Sequence, residues 1–143
     1  MNSEMVTLFG NGVSVEVSSS FFSYRADSDL VLSVDEKGEG YYRIMHLGEH
    51  VGVYVHASSG KICAGPNTSH LLFGNSTISH FVQCMQEVAD SYPWYGEDPK
   101  VDELIKAERD LEAIIQKIDP PAARETTFWA NFISDVRMGC YED

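Results

Sequence analysis

The clearest hydrophobic pattern in the chain lies between Asn75 and Tyr92. Apolar residues recur there at every third or fourth position, which is the spacing of one buried helical face. The apolar set is Ile78, Phe81, Val82, Met85, Val88, Ala89 and Tyr92, and the polar set is Ser79, Gln83, Gln86, Glu87 and Asp90. The pattern predicts an amphipathic helix, and Asn75 or Ser76 is predicted to cap its first turn.

The chain before this helix has the pattern of β-strands. Val13, Val15 and Val17 alternate with polar residues, as in a half-buried strand. Further strands are predicted over residues 30–34, 41–47, 51–56 and 61–64, and the stretch from there to Asn75 is predicted to be a linker. Because the connections are short, we expect an antiparallel meander rather than parallel crossover units.

Two more helices are predicted after a loop over residues 91–99, where prolines and a glycine exclude a continuous helix. Asp98 is predicted to cap a helix that starts at Pro99 and ends at Asp119. Its apolar positions are Val101, Leu104, Leu111, Ile114, Ile115 and Ile118, and its polar side holds Glu103, Ala107, Glu108 and Glu112. A last helix is expected from about Thr126, with Gly139 as its stop. The predicted fold is α+β, an N-terminal antiparallel sheet covered by C-terminal helices in one domain over residues 1–143.

Charge adds the next constraint. The formal net charge is -12; residues 1–74 carry eight acidic and four basic side chains, whereas residues 75–143 carry fourteen and six. The acidic excess is therefore greatest in the helical half. Such a surface repels nucleic acid and anionic membranes and attracts a basic partner. The alternative is that the acidic residues only form a solvated face.

The composition also limits the class of protein. No apolar run approaches the roughly 20 residues that cross a bilayer, and the first residues lack the basic and apolar parts of a secretory signal. We therefore expect a soluble, cytoplasmic protein. The three cysteines, Cys63, Cys84 and Cys140, are widely spaced, so buried free thiols are expected rather than a disulfide framework.

Motifs for catalysis are lacking. The five histidines are scattered without the spacing of a metal site, and no Gly-x-Ser-x-Gly turn is present. A cysteine nucleophile would need a histidine brought close in space, and the sequence singles none out. We therefore predict no catalytic residue, no cofactor and no metal, and a protein that is not an enzyme.

An ordered set of short motifs carries a family resemblance. The set is Val51-Gly52-Val53-Tyr54-Val55, a turn ending at Gly60, Asn75-Ser76 followed by Ile78 and Phe81, Ile118-Asp119-Pro120, Ala122, Thr127-Phe128-Trp129 and Gly139. This order resembles the SUKH superfamily of bacterial toxin immunity proteins, and in particular its fourth subfamily. The resemblance covers roughly residues 41 to 140.

The resemblance implies a cytoplasmic immunity protein that binds and neutralises a polymorphic toxin domain, often a nuclease or a nucleic-acid deaminase. It implies a scaffold role for the matching positions Gly60, Asn75, Ser76, Phe81, Asp119 and Trp129. The expected partner is a basic cognate toxin protein, with no nucleic acid and no membrane, and the oligomeric state stays open. Two alternatives are a regulatory or adaptor module of the same fold and a small enzyme or ligand-binding domain.

The loop after the first helix is the predicted contact surface for the partner. Tyrosine and tryptophan are favoured interface anchors, and flanking carboxylates suit a basic channel. The predicted contact residues are Trp94, Tyr95, Glu97, Asp98, Asp102 and Glu103. The alternative is that Trp94 packs against the protein's own core while the acids are solvated.

Overall fold

A computed structural model describes residues 3–8, 13–18, 24–26, 32–47 and 50–140. Within these residues the chain forms eight strands and then three α-helices. The strands are β1 Ser3–Leu8, β2 Val13–Ser18, β3 Tyr24–Ala26, β4 Leu32–Val34, β5 Gly40–Leu47, β6 Val51–His56, β7 Ile62–Gly65 and β8 Leu72–Asn75. The helices are α1 Ile78–Asp90, α2 Val101–Ile118 and α3 Phe128–Arg137, with a 3₁₀ turn over Pro120–Ala123 between the last two. The predicted α+β fold, with the sheet first and the helices after, is confirmed.

The main sheet is an antiparallel meander. Its strand order is β3-β5-β6-β7-β8, and β4 also pairs with β5. The strands β3 and β4 lie on the same edge of β5 but at different halves, since Tyr24 pairs with Leu47 and Leu32 pairs with Tyr42. The strands β1 and β2 form a separate antiparallel pair.

Strand β8 lies where the sequence predicted a linker, so that prediction was wrong. The strand is four residues long and contains Gly74, so its local pattern is weak. Its pairing with β7 is also irregular, because the register shifts between Ile62 and Cys63. Tertiary pairing, rather than local propensity, forms this strand.

The helices cover one face of the sheet. Met45, Val53 and Ala64 lie side by side on three neighbouring strands, and all three are buried. They share one hydrophobic core with the helices. The helical contribution is Phe81, Val82, Met85 and Val88 from α1, Leu111 and Ile115 from α2, and Trp129, Phe132 and Ile133 from α3. The predicted buried face of α1 is thus confirmed.

Three predictions about the caps and starts of α1 and α2 were wrong. Thr77, rather than Asn75 or Ser76, caps α1, because its hydroxyl accepts a hydrogen bond from the His80 N–H at 3.1 Å. Asp98 caps no helix: its φ is 53°, whereas an N-cap residue has extended backbone. Helix α2 begins at Val101 after an extended Lys100, two residues later than predicted.

The buried face of α2 also differs from the prediction. Ala107, predicted on the polar side, is only 3% exposed, and Val101, predicted on the apolar side, is 61% exposed. The buried stripe runs through Ala107, Leu111 and Ile115, which lie four residues apart on one face. Val101 falls outside it, because the helix begins at the edge of the core.

The third helix agrees more closely with the sequence. Thr127 caps it by accepting the Ala130 N–H at 3.1 Å, and Gly139 follows its end with a φ of 82°, as helix-terminating glycines do. No helix in the described part of the chain is long and apolar enough to cross a membrane.

A glycine substitution tests the β7–β8 connection. A Cβ at Gly65 would clash with the carbonyl oxygen of His70, whereas a Cβ at Gly96 would meet nothing within 4 Å. We expect Gly65→Ala to lower the free energy of unfolding by about 2 kcal/mol, as overpacking does. Gly96→Ala should change it by less than about 0.5 kcal/mol. Equal effects of the two variants in urea denaturation would show that β7 and β8 are joined differently.

Candidate partner-binding surface

The two aromatic residues of the predicted contact loop pack against the protein itself. The Trp94 Nε1–H donates to the Ser91 hydroxyl at 2.9 Å, and the half-buried ring lies edge-on to Phe132 at 5.5 Å. Tyr95 is 6% exposed, and its hydroxyl donates to the Val136 carbonyl at 2.7 Å. Tyr95 therefore fixes the loop to the end of α3 from the inside, and it offers no contact surface to a partner in this conformation.

The four acidic residues of the predicted contact set lie differently. Glu97, Asp98, Asp102 and Glu103 are all exposed. Asp102 and Glu103 are in the first turn of α2, where negative charge interacts favourably with the helix dipole. The structure thus leaves these carboxylates accessible, and their contact with a partner stays a prediction.

Further exposed carboxylates without ion pairs lie among the described residues of the helical half, residues 75–143. Among its described residues, Lys106 and Asp110 form the one ion pair between a carboxylate and a lysine or arginine, at 2.6 Å. Asp119 is the one buried carboxylate there. The remaining acidic side chains of the described helical half are therefore free to meet basic groups of another molecule.

The buried Asp119 carboxylate holds the junction between the sheet and the helices. It accepts hydrogen bonds from the Ser76 N–H at 2.7 Å, the Ser76 hydroxyl at 2.8 Å and the Asn75 Nδ2 at 3.0 Å. The Asn75 Oδ1 in turn accepts from the Trp129 Nε1–H at 2.8 Å. We call Asn75, Ser76, Asp119 and Trp129 the Asp119 network.

The Asp119 network connects four elements that are distant in sequence. Asn75 ends β8, Ser76 precedes α1, Asp119 follows α2 and Trp129 lies in α3. The family resemblance implied scaffold roles for these four positions, and the structure brings them together in one hydrogen-bonded group. The sequence did not reveal that Asp119 is the common acceptor, because a helix stop and a buried acceptor have the same local pattern.

Hydrogen bonding determines the charge state of Asp119. Burial alone would raise its pKa, but the bonds from Ser76 and Asn75 and the nearby His80 ring outweigh burial and hold the pKa below its ordinary value. Asp119 is therefore ionised at neutral pH.

The three cysteines are all free thiols, and each has a different environment. Burial raises the pKa of the Cys84 thiol to about 12, which makes it a poor nucleophile. Burial also raises the pKa of Cys63. Cys140 is exposed and Cys63 is only partly buried, so the prediction that the thiols are buried is confirmed for Cys84 and was wrong for Cys140.

A second hydrogen-bonded group, formed by Glu39, His56 and Ser59, lies at the β6–β7 hairpin, and no local sequence pattern predicted it. The His56 Nε2 lies 2.7 Å from a Glu39 carboxylate oxygen, and its Nδ1 lies 2.6 Å from the Ser59 hydroxyl. The order of Ser59, His56 and Glu39 resembles the nucleophile, base and acid of a catalytic triad. Acyl transfer also needs N–H groups that are free to bind the oxyanion of the intermediate. The Gly60 N–H is bonded to the His56 carbonyl, and the Lys61 N–H donates to the Ser59 hydroxyl. The chain of bonds therefore stabilises the turn.

No family model, curated protein or solved structure matches the chain. Within the described ranges, no three His, Cys, Asp or Glu side chains are grouped so that they could hold a metal ion. The resemblance to immunity proteins therefore stays a prediction.

Removal of the Asp119 charge tests the network. We expect Asp119→Asn to lower the free energy of unfolding by about 3 kcal/mol at neutral pH. Both oxygens of the Asp119 carboxylate accept hydrogen bonds, whereas the amide nitrogen of asparagine accepts none, so buried donors would lose their partner. The pKa of Asp119 is lowered on folding, so its stabilisation is present above the unfolded value of about 3.9 and is lost as the pH falls below it. The difference in the free energy of unfolding between the original protein and Asp119→Asn should therefore become smaller at acidic pH.

The matched control is Asp90→Asn, at an exposed position in the last turn of α1. It should change the free energy of unfolding by less than about 0.5 kcal/mol. Urea unfolding at several pH values measures both. If Asp119→Asn were as stable as the control at neutral pH, the network would have no structural role.

Proposed function

We propose that this protein is a cytoplasmic immunity protein that binds and neutralises a basic polymorphic toxin domain by direct contact. The observation that supports this most strongly is the set of exposed carboxylates in the helical half that make no ion pair with other described residues. Residues 75–143 carry fourteen acidic and six basic side chains. Such an excess suits a partner of opposite charge.

The toxin classes implied by the resemblance fit this surface. A nuclease or nucleic-acid deaminase binds phosphates, so it must present lysine and arginine around its active site. Carboxylates of the inhibitor would then occupy the positions of phosphates, and opposite fields would speed the encounter. Neutralisation in this mechanism needs contact alone and no catalytic group of the inhibitor.

The scaffold supports a preformed surface. The Asp119 network fixes the end of α2 relative to α1 and α3, and Tyr95 fixes the loop that carries Glu97 and Asp98. A surface that is ordered before binding loses less conformational entropy in the complex. This rigidity suits a fast, tight inhibitor.

Capture from the native cell followed by co-expression tests the proposal. The captured partner is expected to be basic, to be toxic when expressed alone and to become harmless when this protein is present. A captured partner that is harmless alone would instead support a regulatory or adaptor role and contradict immunity.

Charge reversal at the loop tests the predicted contact residues. Glu97→Lys should slow association with the captured toxin about threefold to tenfold, because it weakens electrostatic steering. The control is Glu36→Lys, at an exposed turn on the sheet side, which changes the net charge by the same amount and should have a smaller effect. Stopped-flow or biosensor association rates measure both. Equal rates for the two variants would exclude Glu97 from the contact surface.

A further inference from the structure

A cleft of about 130 Å³ lies between α2 and the beginning of α3. Its apolar lining is Ala123, Ala130 and Ile133, and its carboxylates are Glu108, Glu112 and Glu125. We call it the glutamate cleft. Glu108 and Glu112 come from successive turns of α2, and Glu125 comes from the loop that precedes α3.

The charge of the glutamate cleft is unbalanced. Arg124 also lines it, so three carboxylates and one guanidinium leave a net charge of -2. Among the described residues, no hydrogen bond or ion pair engages the side chains of these three glutamates. Glu108 and Glu112 also form a like-charge pair four residues apart, which destabilises a helix. A cation in the cleft would relieve this repulsion.

The lining indicates which cation fits. A metal ion needs several closely converging ligands, and no such group exists among the described residues. A lysine or arginine side chain combines a methylene stem with a charged head. The alanine and isoleucine side chains suit the stem, and the glutamates suit the head, most strongly as bidentate partners of a guanidinium.

Neighbouring hollows on α2 are less suitable for a cation. The hollow lined by Asp102 and Asp110 also contains Lys106 and Arg109, so its charges are balanced within the protein. Arg109 also lines the hollow next to the glutamate cleft, together with Glu112. Shared lining residues connect the three depressions: Arg109 lines the hollow at Asp102 and the middle hollow, and Glu112 lines the middle hollow and the glutamate cleft.

We propose that the glutamate cleft binds a lysine or arginine side chain of the basic partner protein. The proposal rests on the proposed function, and it places a specific anchor point on the acidic surface. The surface between Asp102 and Glu112 of the cleft follows ten residues of α2, a distance of about 15 Å.

A small probe tests the cleft without any partner. N-acetyl-arginine amide, titrated into the protein, should shift the methyl NMR signals of Ala123 and Ala130 in a saturable manner. N-acetyl-norleucine amide, which has no charge, should not. Glu112→Gln should weaken the binding of the arginine probe at least about threefold. Shifts that do not saturate, or that spread equally over the acidic surface, would overturn the proposal.

A cation supplied by the protein itself tests the cleft in the complex. Ser134 is exposed and lines the cleft, so Ser134→Lys should place an ammonium beside the glutamates and compete with the partner. Gln86→Lys, at an exposed position of α1 outside the cleft, makes the same change in net charge. We expect Ser134→Lys to weaken binding of the captured partner about tenfold or more and Gln86→Lys at most about threefold. Thermal melts verify that both variants are folded.

The outcomes separate the two proposals. If the partner is toxic and neutralised, and Ser134→Lys binds it as well as Gln86→Lys does, the cleft proposal is wrong while immunity stands. If the partner is harmless but Ser134→Lys selectively weakens binding, the cleft is supported and immunity is wrong. If no partner is captured, the arginine probe decides the cleft proposal alone.

Discussion

The hydrogen bonds to the Asp119 carboxylate are the interaction on which the rest of the structure depends. A buried charge is costly unless it is fully bonded, and Asp119 is 2% exposed. Its donors come from the junction of β8 and α1, and Asn75 extends the network to Trp129 in α3. One carboxylate thus determines how the sheet and three helices meet. Hydrophobic burial alone would tolerate several arrangements of these helices, whereas the donors and acceptors permit few.

The same arrangement separates buried from exposed charge. Asp119 is ionised inside, where hydrogen bonds from Asn75 and Ser76 stabilise its charge, and the other acidic side chains of the described helical half remain at the surface. The outer side of α2 therefore presents carboxylates on a rigid support. A binding surface of this kind needs little reorganisation when a basic partner arrives, and this connects the buried network to the proposed inhibition.

Local patterns predicted much of the fold. The buried face of α1 and the limits of β6 followed from periodicity, because both elements have regular hydrophobic spacing. Strand β8 and the burial of Ala107 were missed, because distant partners decide them. Asn75 bonds to Asp119 and Trp129 across 44 and 54 residues of sequence, and no local pattern reveals such a pair. At the surface, exposure of Glu97 and Asp98 was foreseeable from their charge, but the inward position of Tyr95 depends on the Val136 carbonyl.

The proposed inhibition requires that exposed carboxylates on the helical scaffold bind a basic protein. Its most direct test is the dissociation constant of the complex with the captured partner, measured from about 50 to about 300 mM salt, a range over which exposed charges become screened. We expect an affinity that falls steeply with salt, mainly through slower association. An affinity that is independent of salt would contradict it.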